Sequence, residues 1–99
     1  MISTARQRAN FYTIKEQETR LLIRHRSDDL FERARRHVDV RIRSYPKRMR
    51  KNYEAIVQQM FRSMCDDDFT RRKLIENQQL FLRLAHHYEQ RAQGEQANE

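Results

Sequence analysis

Apolar residues recur along most of this chain with the three- and four-residue spacing of helices, and four segments can be read from that spacing and from the residues that cap it. The first runs from Ser3 or Thr4 to Arg26, with Phe11, Ile14, Leu21 and Leu22 on one stripe. Ser27, Asp28 and Asp29 then punctuate, and Asp29 with Glu32 three residues on has the spacing of a capping box. A second helix is therefore expected from Asp29 to about Ser44. The third opens at Pro46, whose fixed φ suits a first helical position, and carries Met49, Tyr53, Ile56, Val57, Met60 and Met64 as an inner face. Asp66, Asp67 and Asp68 end it and cap a fourth helix, from Phe69 to about Gln93, with Leu74, Phe81, Leu84, Ala85 and Tyr88 inward.

One stretch reads two ways. Phe31, Ala34, Val38, Ile42 and Tyr45 follow a helical stripe, yet Val38, Val40 and Ile42 alternate with Asp39, Arg41 and Arg43 as in a short strand. Acid precedes base by four residues at Glu32/Arg36 and Asp39/Arg43, the order that supports a helix, and helix is the expectation.

The breaker count points the same way. Gly94 and Pro46 are the single glycine and single proline of 99 residues, too few for hairpins or phosphate-cradling loops. The expected fold is all-α: a small bundle or elongated array of three to four helices in one domain over residues 1–93, with residues 94–99 a disordered polar tail. Leu, Ile, Val and Phe make up about a fifth of the chain, near the limit for a self-sufficient core. Completion by oligomerisation or a partner fits so thin a core.

A lone cysteine, Cys65, excludes an internal disulfide and suits a reducing, intracellular compartment. Cytoplasm is the first expectation. The mitochondrial matrix is the alternative, because Arg6, Arg8 and Lys15 with Ser3, Thr4 and Thr13 precede the first acid, Glu16. No apolar run approaches the ~20 residues that span a bilayer, so no membrane partner is expected.

The net charge of +7 is concentrated. Between Arg33 and Lys51 nine basic residues face Asp39 alone, so this segment holds +8 and the rest of the chain sums to −1. Lys47, Arg48, Arg50 and Lys51 follow Pro46 directly, at what would be the positive end of a long helix. Each cation there is unfavourable by about 0.3–1 kcal/mol at low salt. The other internal helix starts place acids there, and a reversal without visible compensation points to an external anion. The bland alternative lays these side chains against the negative end of the preceding helix. Arg outnumbers Lys 17 to 4, which favours bidentate contacts to phosphate or carboxylate.

The expected site is thus Arg41, Arg43, Tyr45, Lys47, Arg48, Arg50 and Lys51, with Tyr45 able to stack on a base and Tyr53 assigned to the core. The expected function is a non-enzymatic binding module contacting the backbone phosphates of DNA or RNA. The alternative is a structural or adaptor subunit turning the same basic surface to an acidic protein. No cofactor or metal is expected: Asp66 to Asp68 are accounted for by capping, His86 and His87 diverge by about 100° on a helix, and the carboxylates beside Cys65 would raise its pKa.

Val38-Asp-Val-Arg-Ile-Arg-Ser-Tyr-Pro46 followed by an amphipathic helix resembles the start of a ribbon-helix-helix repressor. That resemblance implies a strand whose alternate residues Asp39, Arg41 and Arg43 read the major groove. The chain departs from it in its long first helix and in having no glycine between helices. In its short, Arg-rich, helical character the chain is also similar to the mitochondrial LYR assembly factors, without their Leu-Tyr-Arg.

Overall fold

The computed structural model describes residues 3–97. It is all-α: α1 spans Thr4–Arg41, a 3-10 turn Ile42–Ser44 follows, then α2 Lys47–Arg50, α3 Tyr53–Asp67 and α4 Phe69–Ala97. Among the described residues no strand forms, so the strand required by the ribbon-helix-helix resemblance is absent, and Val38 to Arg41 close α1 instead.

Three boundaries differ from expectation. Ser27, Asp28 and Asp29 do not interrupt α1, and the side chains of Ser27 and Asp29 find partners without capping anything. Asp29 pairs with Arg33 four residues on at 3.1 Å and with Arg26 three residues back at 3.6 Å, while the Ser27 hydroxyl accepts from Arg71 Nε at 3.1 Å. The helix penalty for such residues, some tenths of a kcal/mol each, is small against these contacts. The expected third helix is divided: α2 is a single turn, Lys51 and Asn52 form a bend, and α3 starts afresh with Glu54 in its first turn. Finally, α4 runs through Gly94 to Ala97, where a disordered tail was expected. Asn98 and Glu99 lie outside the described residues.

The capping predictions at the other starts hold. Ser3 Oγ accepts from the Arg6 amide at 3.0 Å, and Asp68 Oδ2 accepts from the Arg71 amide at 2.8 Å, satisfying donors that a helix start leaves open.

The chain forms two compact units. The first comprises the chain to Ile23 and from Lys73 onward, so α1 and α4 run antiparallel within it. Ala5, Ala9, Glu16 and Thr19 of α1 and Ala92 of α4 are buried there, with Tyr12 stacked on Phe81 and Tyr88 at centroid distances of 6.1 and 5.8 Å. Positions 5, 9, 12, 16 and 19 follow the four-three alternation of a coiled-coil seam. The seam is built from small and polar residues rather than from the predicted Phe11–Leu22 stripe. Glu16 sits in it and accepts from Gln78 Nε2 at 3.1 Å and from Arg20 Nη2 at 2.6 Å. These bonds hold its carboxyl below the usual range against the opposing effect of burial. Arg6 closes the seam on Glu89.

The second unit, Arg24 to Arg72, contains the better core. Ala34, Val38 and Val57 are buried, and Phe31, Ile42, Tyr53, Ile56, Met60, Phe61 and Met64 pack on them. The inner face predicted for the third helix is found here from Tyr53 onward, whereas Met49, displaced into α2, stays exposed.

Candidate functional site

The basic segment belongs wholly to the second unit, and packing of that unit decides which of its cations remain available. Arg33 and Arg35 are taken by Asp29 and Glu32 at 3.1 and 2.7 Å. The predicted Glu32/Arg36 and Asp39/Arg43 pairs do not form. Glu32 turns to Arg35, and Asp39 accepts from the hydroxyl of Tyr53. Arg36, Arg41, Arg43, Lys47, Arg48 and Lys51 therefore have no ion pair among the described residues, and all six are exposed.

Arg50 has a different task. Its Nε donates to the Ile42 carbonyl at 3.2 Å, which also accepts from the Tyr45 amide, and its Nη2 donates to the Arg43 carbonyl at 2.8 Å, both in the 3-10 turn that follows α1. The guanidinium thereby ties α2 to the 3-10 turn. Arg50 is a structural clamp more than a free cation.

The predicted dipole argument is corrected by this geometry. Lys47, Arg48 and Arg50 lie in a four-residue helix with Pro46 at its start, and a single turn sums few peptide dipoles. Breaking the helix at Lys51 and Asn52 removes the conflict between cations and a long helix axis, and leaves Glu54 at the true start of α3 in agreement with the usual rule. What concentrates positive potential here is side-chain charge alone.

Tyr45 is half-buried and lines a shallow hollow with Ile56, Gln59, Met60 and Ser63. Tyr53 joins the core as expected, and its hydroxyl pKa is raised, first by the bond to Asp39 and then by burial.

A second hollow joins Arg41 of the predicted site to four residues outside it. Arg33, Arg36, His37, Val40 and Arg41 surround an open depression on α1. Their i, i+3, i+4, i+7, i+8 spacing is the signal that one helix face carries them all. The competing strand reading obscured its last two positions, because it sets Val40 and Arg41 on opposite faces.

Elsewhere the chemistry is quiet. Burial pushes the Cys65 thiol up, with Asp66 and Asp68 adding to the effect and Arg71 opposing it. Asp68 is engaged by Arg26 and by its capping bond. Among the described residues, no three His, Cys, Asp or Glu side chains are grouped to hold a metal, and no helix is long and apolar enough to cross a membrane. No family model matches the chain, and no curated protein and no solved structure shows significant similarity to it.

Proposed function

We propose that the chain is a binding module whose basic surface, formed by Arg36 and Arg41 of α1, Arg43 of the 3-10 turn and Lys47, Arg48 and Lys51 of the following turn, engages the backbone phosphates of a nucleic acid. The observation that carries this reading is the set of six exposed cations without a carboxylate partner among the described residues. Like charges gathered in one short segment repel one another, and an external polyanion relieves the repulsion while releasing its own counterions. Contacts of this kind position a protein on the backbone and carry little sequence information.

The test is a fluorescence anisotropy titration with labelled mixed-sequence duplex DNA and single-stranded RNA at increasing salt. Neutralising four to six phosphates gives a log–log slope of about −3 to −5. A flat response, or no binding at low salt, overturns the reading.

One observation favours the adaptor alternative, in which an acidic protein meets the same surface. Val40, 82% exposed, stands within the hollow formed by Arg33, Arg36, His37 and Arg41, where an apolar contact suits a protein better than a phosphate. Under that reading Val40→Gln weakens binding. Under the phosphate reading it leaves the affinity for nucleic acid unchanged.

A further inference from the structure

We propose that the second unit binds a small organic cation, an aromatic or alkylated ammonium, in the cavity that α1 and α3 form above Val57. The inference is independent of the phosphate reading of the basic surface.

Phe31 and Arg35 stand one turn apart on α1, and Tyr53, Glu54, Val57 and Gln58 follow one another over the first turns of α3. Together with Ala55 they line a cavity of about 350 Å³. Small-molecule sites span roughly 300–1,000 Å³ and combine apolar walls with a few placed polar groups. Here Val57 is buried at the base, and the half-buried rings of Phe31 and Tyr53 are two of the walls. Each ring has a contact that holds it in place: Phe31 meets Phe61 edge to face at a centroid distance of 5.5 Å, and the Tyr53 hydroxyl donates to Asp39. Ala55, on the exposed side, contributes no more than a methyl group, so the space stays open.

Charge at the mouth selects the ligand. Arg35 is the one cation among the lining residues, and Glu32 already holds it at 2.7 Å. Glu54 is exposed and has no ion pair among the described residues. Asp39 stands at the Tyr53 wall through its bond to the phenol. Three carboxylates are thus set against one guanidinium, in a chain whose net charge is +7. The Tyr53 hydroxyl reports the local field, since its pKa is raised first by the bond to Asp39, then by burial, and by Glu32 as well, with Arg35 opposing.

An anion entering here meets surplus negative charge, and a neutral molecule gains burial alone. A cation gains the carboxylates and also the aromatic rings, whose electron-rich faces attract ammonium groups. Because the protein as a whole is positive, its long-range field favours anions. A preference for the cation can therefore arise only locally.

Titrating the full chain with benzyltrimethylammonium, followed by heteronuclear NMR, should give saturable shifts at the amides of Tyr53, Val57 and Gln58. A millimolar dissociation constant suits so small a probe. Phenylacetate, alike in its ring and opposite in charge, should bind about tenfold more weakly, with benzyl alcohol between the two. Ala55→Leu should abolish binding without lowering the melting temperature, because the added atoms enter the cavity from an exposed position. Glu54→Gln should weaken the cation about threefold, and Arg35→Gln should tighten it by a similar factor. No saturable shift at these amides, phenylacetate binding as tightly as the cation, binding retained in Ala55→Leu, or no gain in Arg35→Gln overturns the proposal.

Discussion

Arg26 holds Asp68 with two parallel hydrogen bonds, Nε to Oδ2 at 2.9 Å and Nη2 to Oδ1 at 2.5 Å, across 42 residues of sequence. The same carboxylate accepts from the Arg71 amide, so one side chain caps α4 and fastens it to α1 within the second unit. The Arg26 guanidinium first, and the capping bond with it, hold the Asp68 carboxyl down at about 2 from an ordinary 3.8, while partial desolvation opposes them.

Stability should follow that titration. A carboxylate whose folded pKa lies below its unfolded value stabilises the fold above the unfolded pKa, and the contribution is lost as pH falls through the folded one. The melting temperature should therefore decline between about pH 4 and pH 2, the interval set by the two values for Asp68. Asp68→Asn should lower the melting temperature at neutral pH and flatten the acid decline. A parallel decline in the variant would show that other carboxylates dominate.

Val38 and Val40 make a direct comparison. Val38 is fully buried at 0% exposure and Val40 is 82% exposed. Val38→Ala should cost about 2 kcal/mol in urea unfolding, from lost methyl burial and the cavity left behind. Val40→Ala should change stability by less than about 0.5 kcal/mol. Equal losses would place both residues on one face, as a strand would.

Glu16 gives the first unit a polar layer inside its seam. Glu16→Ala leaves the Gln78 amide without its acceptor and opens a gap beside Thr19, and should cost about 1–3 kcal/mol. Because its pKa is also lowered, the wild-type contribution is present at neutral pH and fades on acidification, so the penalty of the substitution should shrink toward low pH. Chemical denaturation at neutral pH and at pH below the ordinary carboxylate range measures both effects.

Binding and stability should separate within the basic segment. Replacing Arg36, Arg41 and Lys47 together by Gln should reduce the salt slope of nucleic-acid binding by about 2 to 3 while leaving the melting temperature unchanged or slightly raised, since three mutually repelling charges are removed. Arg50→Gln should lower the melting temperature, because it removes two hydrogen bonds that tie α2 to the 3-10 turn. Anisotropy and thermal unfolding on the same samples check the division.

The helical class was legible because glycine and proline are nearly absent, and the core of the second unit because Tyr53, Ile56, Val57, Met60 and Met64 repeat at helical spacing. Local signals failed where distant partners intervened. Ser27 and Asp29 read as a stop, yet Arg71 and Arg33 engage them inside a continuous helix. The Phe11–Leu22 stripe was read correctly as a stripe, but α4 packs on the smaller side chains behind it, because alanines allow close helix approach and aromatic layers from Tyr12, Phe81 and Tyr88 complete the contact. Within the candidate site, composition identified the cations, whereas their division into paired, clamping and unpaired depended on which acids the packing left over. Arg50 could not have been singled out from its neighbours, since its acceptors are backbone carbonyls.

The bond from Tyr53 to Asp39 has an electrostatic consequence. Asp39 is the sole acid between Arg33 and Lys51, and a phenol rooted among Val38, Val57 and their neighbours anchors it. While that bond holds, the carboxylate is not spent on the guanidinium groups around it. The positive potential above this stretch is consequently coupled to the Tyr53 hydroxyl, whose ring packs on the core, and it should be reduced where Tyr53→Phe releases Asp39.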